Sequence, residues 1–518
     1  MKQPQSASHR VVMNTGILYA KMGITMFISL YTTRLILNSL GASDFGIFNI
    51  VGGAIAMLGF LNAAMASATQ RFMSYSEGAG DKEKQKSIFN ISVILHFFIA
   101  IIIGIVLLIA GYFFFHGILN IPAERIHAAQ MVYYFMIIST MLTVMTVPYD
   151  AVLNAHENML YYAIVGIIES VLKLAVAFVV VYTLADKLII YGALMAGISL
   201  LVMVIMRVYC HKKYVECEFK PGIYYDKDLM REMTGFAGWS FLASTSSMIG
   251  QYGSGIVLNH FFGTILNAAQ GIANQVSGQL ITFSSSMQKA LNPIIVKKEG
   301  EGKRCLAHQA TFVSAKYSFL LLSFFAIPFI IETSYILKLW LKNVPEYTII
   351  FCRLQVMRSL IEQLTFPISS FVYAQGNISR YATYKSILNI LPVFLIMILF
   401  YYEYPPYIMY ISWILFWGIL GGITILYYAH KNGNMSYKSY ITNVLKPCLC
   451  LFMIVFSINF MLVCIMDDNF FRLFMIIFLS SVFFIITAWK IIISKQEKYL
   501  FLQFYCRFQK HLSNVLSK

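Results

Sequence analysis

About fourteen long apolar segments joined by short polar loops constrain this 518-residue chain more than any other feature. A segment of roughly 20 apolar residues matches the hydrocarbon thickness of a bilayer. Inside lipid every backbone N–H and C=O must find a partner within the protein, which leaves helices or closed barrels. The ten-residue alternation of a membrane barrel is missing, so the expected fold class is all-α, a polytopic membrane protein with about 14 transmembrane helices. The spans are expected near 12–37, 45–69, 87–115, 130–153, 160–184, 188–209, 236–260, 267–290, 308–332, 347–373, 381–402, 406–429, 443–466 and 471–493. Composition agrees: 59% hydrophobic and 12% charged residues do not describe a soluble domain with a polar surface.

Positive charge sets the expected orientation, because cytoplasmic loops retain Lys and Arg. With the amino terminus inside, 28 of the 39 basic residues fall on the inner side and only Arg34, Arg125, Lys187, Lys338, Lys342 and Arg472 at outer ends. Both termini are therefore expected in the cytoplasm. The net charge of +16 then reflects basic loops against anionic headgroups rather than a nucleic-acid partner. The first apolar stretch has no small-residue cleavage site and is interrupted by Lys21, so it reads as a retained helix. The eight cysteines lie in spans or inner loops and read as unpaired thiols; Cys210, His211 and Cys217 match no zinc spacing.

The chain also resembles itself. An offset of 222 pairs Gly16 with Gly238, Gly41 with Gly263, and Glu77-Gly78-Ala79-Gly80 with Glu299-Gly300-Glu301-Gly302. A second block at offset 219 pairs Pro148 with Pro367, Ala155 with Ala374, Asn158 with Asn377 and Tyr162 with Tyr381. Two bundles of six helices follow, both entering the membrane in the same direction, related by a pseudo-twofold axis along its normal. The expected organisation is an N-lobe over 1–209, a linker over 210–235 and a C-lobe over 236–429. Two further helices over 430–493 and a cytoplasmic tail over 494–518 complete it. The linker is expected to hold an amphipathic helix on the inner surface. Pro148, Pro328, Pro367 and Pro392 are candidate hinges or static kinks.

Leu40-Gly41-Ala42-Ser43-Asp44-Phe45-Gly46, the Glu77–Gly80 turn, Pro148 and the repeated halves followed by two extra helices resemble the polysaccharide flippases of the multidrug/oligosaccharidyl-lipid/polysaccharide superfamily. These include the O-antigen and capsule flippases. The resemblance implies a two-lobed transporter of the bacterial inner membrane. It would move undecaprenyl-pyrophosphate-linked oligosaccharide from the cytoplasmic to the periplasmic leaflet by alternating access, without covalent chemistry or a cofactor. Implied partners are the lipid-linked oligosaccharide, membrane lipids, a polysaccharide polymerase and a chain-length regulator, with H+ or Na+ as coupling ion. A cation-coupled multidrug antiporter of the same superfamily is the alternative. A membrane polymerase is a third reading, weakened by short outer loops, near 116–130 and 333–346, and by the lack of a catalytic motif.

Charge inside a bilayer is costly and normally faces a partner or a wet cavity, so it marks candidate sites. Lys21 lies about nine residues into the first span, near ~14 Å of helix rise, and its repeat partner is the uncharged Ala243. Glu169 with Lys173, and Arg358 with Glu362, are spaced i, i+4 on one helix face; each pair reads either as cavity charge or as a structural ion pair. Arg353 and Arg34 lie nearer the outer ends, where Arg34 has the option of snorkelling to headgroups. Lys21, Lys173, Arg358, Arg353 and Arg34 are the candidate contacts for a pyrophosphate. Glu169 and Glu362 are the candidates for ion coupling. Asn62, Gln251, Asn267, Gln270 and Asn274 supply amides suited to sugar hydroxyls or to interhelical hydrogen bonds.

Overall fold

Each apolar segment forms a helix, and no strand occurs among the described residues, which are 7–56, 59–115, 122–341 and 344–493 of the computed structural model. The first half of the chain contains α1 (Ala7–Ala56), α2 (Gly59–Ala79), α3 (Lys82–Phe113), α4 (Ile126–Ala155), α5 (Met159–Tyr182) and α6 (Lys187–Lys213). After the single turn α7 (Pro221–Tyr224) come α8 (Lys227–Gly300), α9 (Arg304–Leu341), α10 (Thr348–Thr365), α11 (Ile368–Ala374) and α12 (Ser379–Tyr401). The last three are α13 (Ile408–Gly433), α14 (Tyr437–Ile465) and α15 (Phe470–Ile492). Helix starts follow local chemistry: the carboxylates of Asp81, Asp186 and Asp226 accept hydrogen bonds from the first free amides of α3, α6 and α8.

Nine described helices are long and apolar enough to cross a membrane. Of the other crossings, α2, α8 and α10 are more polar, while α1 is as apolar as α6. Helices α1 and α8 each break at one glycine, Gly41 (φ 78, ψ 168) and Gly263 (φ 78, ψ −172), repeat partners in a backbone region that is essentially glycine-only. Four segments result, 7–40, 42–56 counted with α2, 227–262 and 264–300; α10 with α11 supplies a fifth, and nine plus five gives fourteen among the described residues. These five carry Lys21, the Asn and Gln side chains and Arg358.

Several expectations need correction. Helix α6 runs on to Lys213 and α8 begins at Lys227, so the helix expected in the linker is the single turn Pro221–Tyr224. Asp226 caps α8 there, starting that helix nine residues ahead of the expected span. The loop expected at 333–346 is largely helical, because α9 continues to Leu341 past a kink at Glu332. Of the four prolines only Pro367 separates two helices; Pro148, Pro328 and Pro392 sit inside continuous ones. The tail over 494–518 lies outside the described residues.

The Glu332 kink meets α15. Arg472 places Nε 2.6 Å and Nη2 2.9 Å from the two Glu332 oxygens, with Asp468 2.5 Å from Nη2, and both members of the central pair are buried. Removing one partner of a buried pair strands the other charge, which costs about 3–5 kcal/mol. Arg472→Ala is therefore expected to lower the unfolding temperature in detergent by several degrees. Arg472→Met combined with Glu332→Leu is expected to cost much less.

Candidate functional site

Two clusters of charge lie within the helices, one in each half, and each contains one member of the repeated tyrosine pair Tyr162 and Tyr381. In the first, the Lys21 ammonium stands 4.1 Å and the Lys289 ammonium 3.7 Å from the centre of the Tyr162 ring. Lys21 comes from α1 and Lys289 from the second half, on α8, so the ring sits where the halves meet. Asp150, two residues beyond Pro148 on α4, interacts electrostatically with both ammonium groups and with Glu169. Glu169 pairs with Lys173 at 2.6 Å, both half-exposed. On α5, Gly166 leaves open the space that the end of the Lys21 side chain fills.

The second cluster surrounds a cavity of about 190 Å³ bounded by α8, α10, α12 and α13. Arg358 lies over both Trp413 and Trp417, 5.1 Å from each ring centre, with Nε 3.6 Å from Glu362. Lys385 is 5.8 Å from the centre of the Tyr381 ring and also feels Glu362. The two halves thus reach one arrangement by different routes. At offset 219 the counterpart of Lys385 is Gly166, and at offset 222 the counterpart of Lys21 is Ala243. The first half delivers its ammonium from the first helix and leaves the fifth bare; the second half does the reverse. Two lysines, Lys21 and Lys289, stand beside Tyr162, and one, Lys385, beside Tyr381.

The halves close on each other at the basic end, the end holding the start of α1 and the turns after α2 and α8. Tyr19 donates to the Phe283 carbonyl, and Thr15 lies 3.5 Å from the Met287 sulfur. Deeper towards that end, a Cβ on Gly78 would strike the Lys297 carbonyl and one on Gly300 the Tyr75 carbonyl. Tyr75 and Lys297 are themselves partners at offset 222, so the crossing is self-complementary about the pseudo-twofold axis. Charge locks it: Lys297 is 3.8 Å from both Glu77 and Glu157, and Arg71 reaches Glu232 at 3.7 Å and the Ala374 carbonyl at 3.3 Å. Glu157 adopts a left-handed φ of 55, where its repeat counterpart Gly376 has φ 88, so a carboxylate occupies a position that geometry assigns to glycine.

Burial works against the charge of Glu77. Hydrogen bonds from Lys82 and Gln85, with the Lys82 and His156 charges, nonetheless hold its carboxyl below the ordinary 4.5. Glu216 is buried too and is likewise held low, by its contact with His156. A depressed carboxylate contributes stability in full above its unfolded value, and that contribution is lost as the pH falls through the folded value. The turn after α2, packed against His156, is therefore expected to hold at neutral pH and to weaken below about 4.5. Faster amide exchange over 71–80 under acid would register this.

The remaining sequence candidates divide between roles. Arg353 donates to the Ile330 and Ile331 carbonyls, at 3.0 and 3.4 Å, beside the α9 kink. Asn274 accepts from Gln355 at 3.3 Å, Gln270 is buried, and Asn267 holds a buried Oδ1 with no hydrogen-bond partner among the described residues. Gln251 lines the second-half cavity. The side chains of Arg34 and Asn62 lie outside the described residues. Sequence reasoning missed three interior groups, Asp150, Lys289 and Lys385. A lone acid inside an apolar span is visible at Asp150; in sequence the two lysines fall at the inner ends of their spans.

Residues 20–179 match the MatE family model. The fold is that of MATE transporters and makes this a multi-pass membrane protein. A crystal structure of a MATE mutant aligns with a TM-score of 0.70 at 14% identity, covering 82% of this chain and 96% of that one. An outward-facing multidrug resistance MATE family transporter of the MOP superfamily aligns at 0.66 and 14%, with the same coverage. A MOP superfamily transporter from Pyrococcus furiosus, described as having a binding pocket of reverse polarity that suggests a different function, aligns at 0.63 and 16%, covering 83% and 96%. No curated protein matches the chain.

Proposed function

We propose that this chain is a flippase for an anionic, lipid-linked oligosaccharide, working by alternating access of two lobes, 1–209 and 236–429, in a bacterial inner membrane with the basic end cytoplasmic. The observation that carries the reading is the ammonium placed beside the repeated tyrosine in both halves, from a different helix each time. Packing alone gives no reason for an expensive charge to be kept at one position by two unrelated substitutions. The two clusters hold five basic groups (Lys21, Lys173, Lys289, Arg358, Lys385) and three acidic ones (Asp150, Glu169, Glu362), so five minus three leaves two positive charges in them. A pyrophosphate diester carries two negative charges, and Arg offers it a bidentate donor while Lys offers a compact charge. No step needs a covalent intermediate: cargo binds, the lobes tip, and differential affinity for the two states drives the shift.

The second reading is cation-coupled multidrug antiport, in keeping with the names of the solved structures of similar fold. Asp150 and Glu169, close together on α4 and α5, favour it as groups able to exchange a cation. One relative in fold is described with reversed pocket polarity and a suggested different function, a precedent for departure from drug transport on this scaffold. The deciding experiment is reconstitution in proteoliposomes. Protein-dependent movement of an undecaprenyl-pyrophosphate oligosaccharide between leaflets, with no ethidium efflux under a proton or sodium gradient, supports flipping. The opposite pattern supports the antiporter. The proposed polymerase and chain-length regulator partners would appear as co-purifying proteins in membranes that make the glycan.

A further inference from the structure

The second-half cavity has a chemistry of its own, and we infer that it is a subsite for one acidic sugar residue, a pyranose carrying a single carboxylate. Its volume of about 190 Å³ is many times the ~10–15 Å³ that one water needs on the same measure, which leaves room for a sugar ring. Drug-sized ligands take pockets of about 300–1,000 Å³. One wall is aromatic: Trp417 stacks on Trp413 with ring centres 4.8 Å apart, and both indole N–H groups are already used, on the Asn389 carbonyl and on Ser254. What Trp417 offers the cavity is therefore apolar ring surface, suited to the C–H face of a pyranose.

The opposite chemistry stands around that wall. Arg358 and Lys385 against Glu362 leave one net positive charge, the complement of one carboxylate. Arg358 is almost fully buried with its Nε 3.6 Å from Glu362, and the Tyr381 hydroxyl, whose ring is fully buried, interacts with Lys385. The Arg358 guanidinium and the Lys385 ammonium bring eight N–H donors to this wall, five and three, which suits a ligand with several acceptors. Glu362 accepts from sugar hydroxyls, and Gln251, exposed at the mouth, offers both donor and acceptor. A plain phosphate would use the cations and ignore the indole; a neutral hexose would use the indole and strand the surplus charge.

The subsite rests on the flippase reading for its biological cargo, but its test does not. The full-length protein in detergent, titrated with D-glucuronate, is expected to show saturable quenching of tryptophan fluorescence, matched by heat in a calorimeter. D-glucose and inorganic phosphate are each expected to bind at least about tenfold more weakly, a difference of 1.4 kcal/mol. Arg358→Gln and Lys385→Gln are each expected to weaken glucuronate by a similar factor, and Trp417→Phe to remove most of the quenching. Equal affinity for glucose would overturn the charge argument, and phosphate binding without glucuronate binding would overturn the sugar. No binding by protein that retains its helical circular dichroism would overturn the subsite itself. Glucuronate binding by a protein inactive in the flipping assay would keep the subsite and refute the flippase.

Discussion

Lys21→Ala is expected to lower the flipping rate of the lipid-linked substrate by about 10- to 150-fold, and adding Gly166→Lys to recover part of the loss. The first figure follows from removing a charge-assisted contact worth about 1.5–3 kcal/mol, since each 1.4 kcal/mol is a factor of ten. The rescue follows from the geometry. Position 166 faces the end of the Lys21 side chain, so a lysine there, with only a methyl group left opposite on α1, places its ammonium where the second half places Lys385. Gly166→Lys alone, with Lys21 present, is expected to be worse than either, because two ammonium groups and one extra side chain compete for the same space. Lys289→Ala should resemble Lys21→Ala in rate, since both cations contact Tyr162. Rates are read as loss of dithionite-accessible label in vesicles holding equal amounts of protein. Normal flipping by Lys21→Ala, or a double variant as inactive as the single, would refute the ammonium's role.

The same residues show how far sequence carries. Hydropathy places the crossings because the bilayer imposes one length on all of them, and the repeat glycines 41 and 263 are legible because only glycine adopts their backbone. The interior charges are harder to read. Lys289 stands eleven residues, about 16 Å of helix, before the end of α8 at Gly300, and Lys385 six residues, about 9 Å, after the start of α12. Both lysines fall within five residues of the inner ends of their expected spans, 267–290 and 381–402, so they count as inner-end charges in sequence although their helices extend beyond those ends. Arg353 errs the other way: it sits within a span but spends its donors on carbonyls near the α9 kink, a feature no local pattern announces. The exchange of lysine between helices is readable from the two offsets, once the tyrosine pair is taken as the fixed point.

Gly78→Leu and Gly300→Leu are each expected to hold the basic end open and to reduce transport by at least about tenfold. At both sites the new side chain meets a backbone carbonyl of the opposite half, which no rotamer change relieves. Overpacking of this kind costs about 1–3 kcal/mol when neighbours can shift, and here the neighbour is main chain. A penalty of that size lowers the closed-state population by about 5- to 150-fold. The two substitutions act on one crossing, related by the pseudo-twofold axis, so their effects should be nearly equal. Opening the crossing relieves both clashes at once, so the double variant should lose little more than either single, where independent sites would add. Spin labels at the exposed Lys84 and Lys303, one on each half beside the crossing, should show a longer distance in all three variants. Lys297→Ala removes the charge contacts with Glu77 and Glu157 but adds no clash, so it should lengthen that distance only partly. If Gly78→Leu keeps the closed distance and full transport, the contact at Lys297 does not limit closure, and the lock must reside in the ion pairs alone.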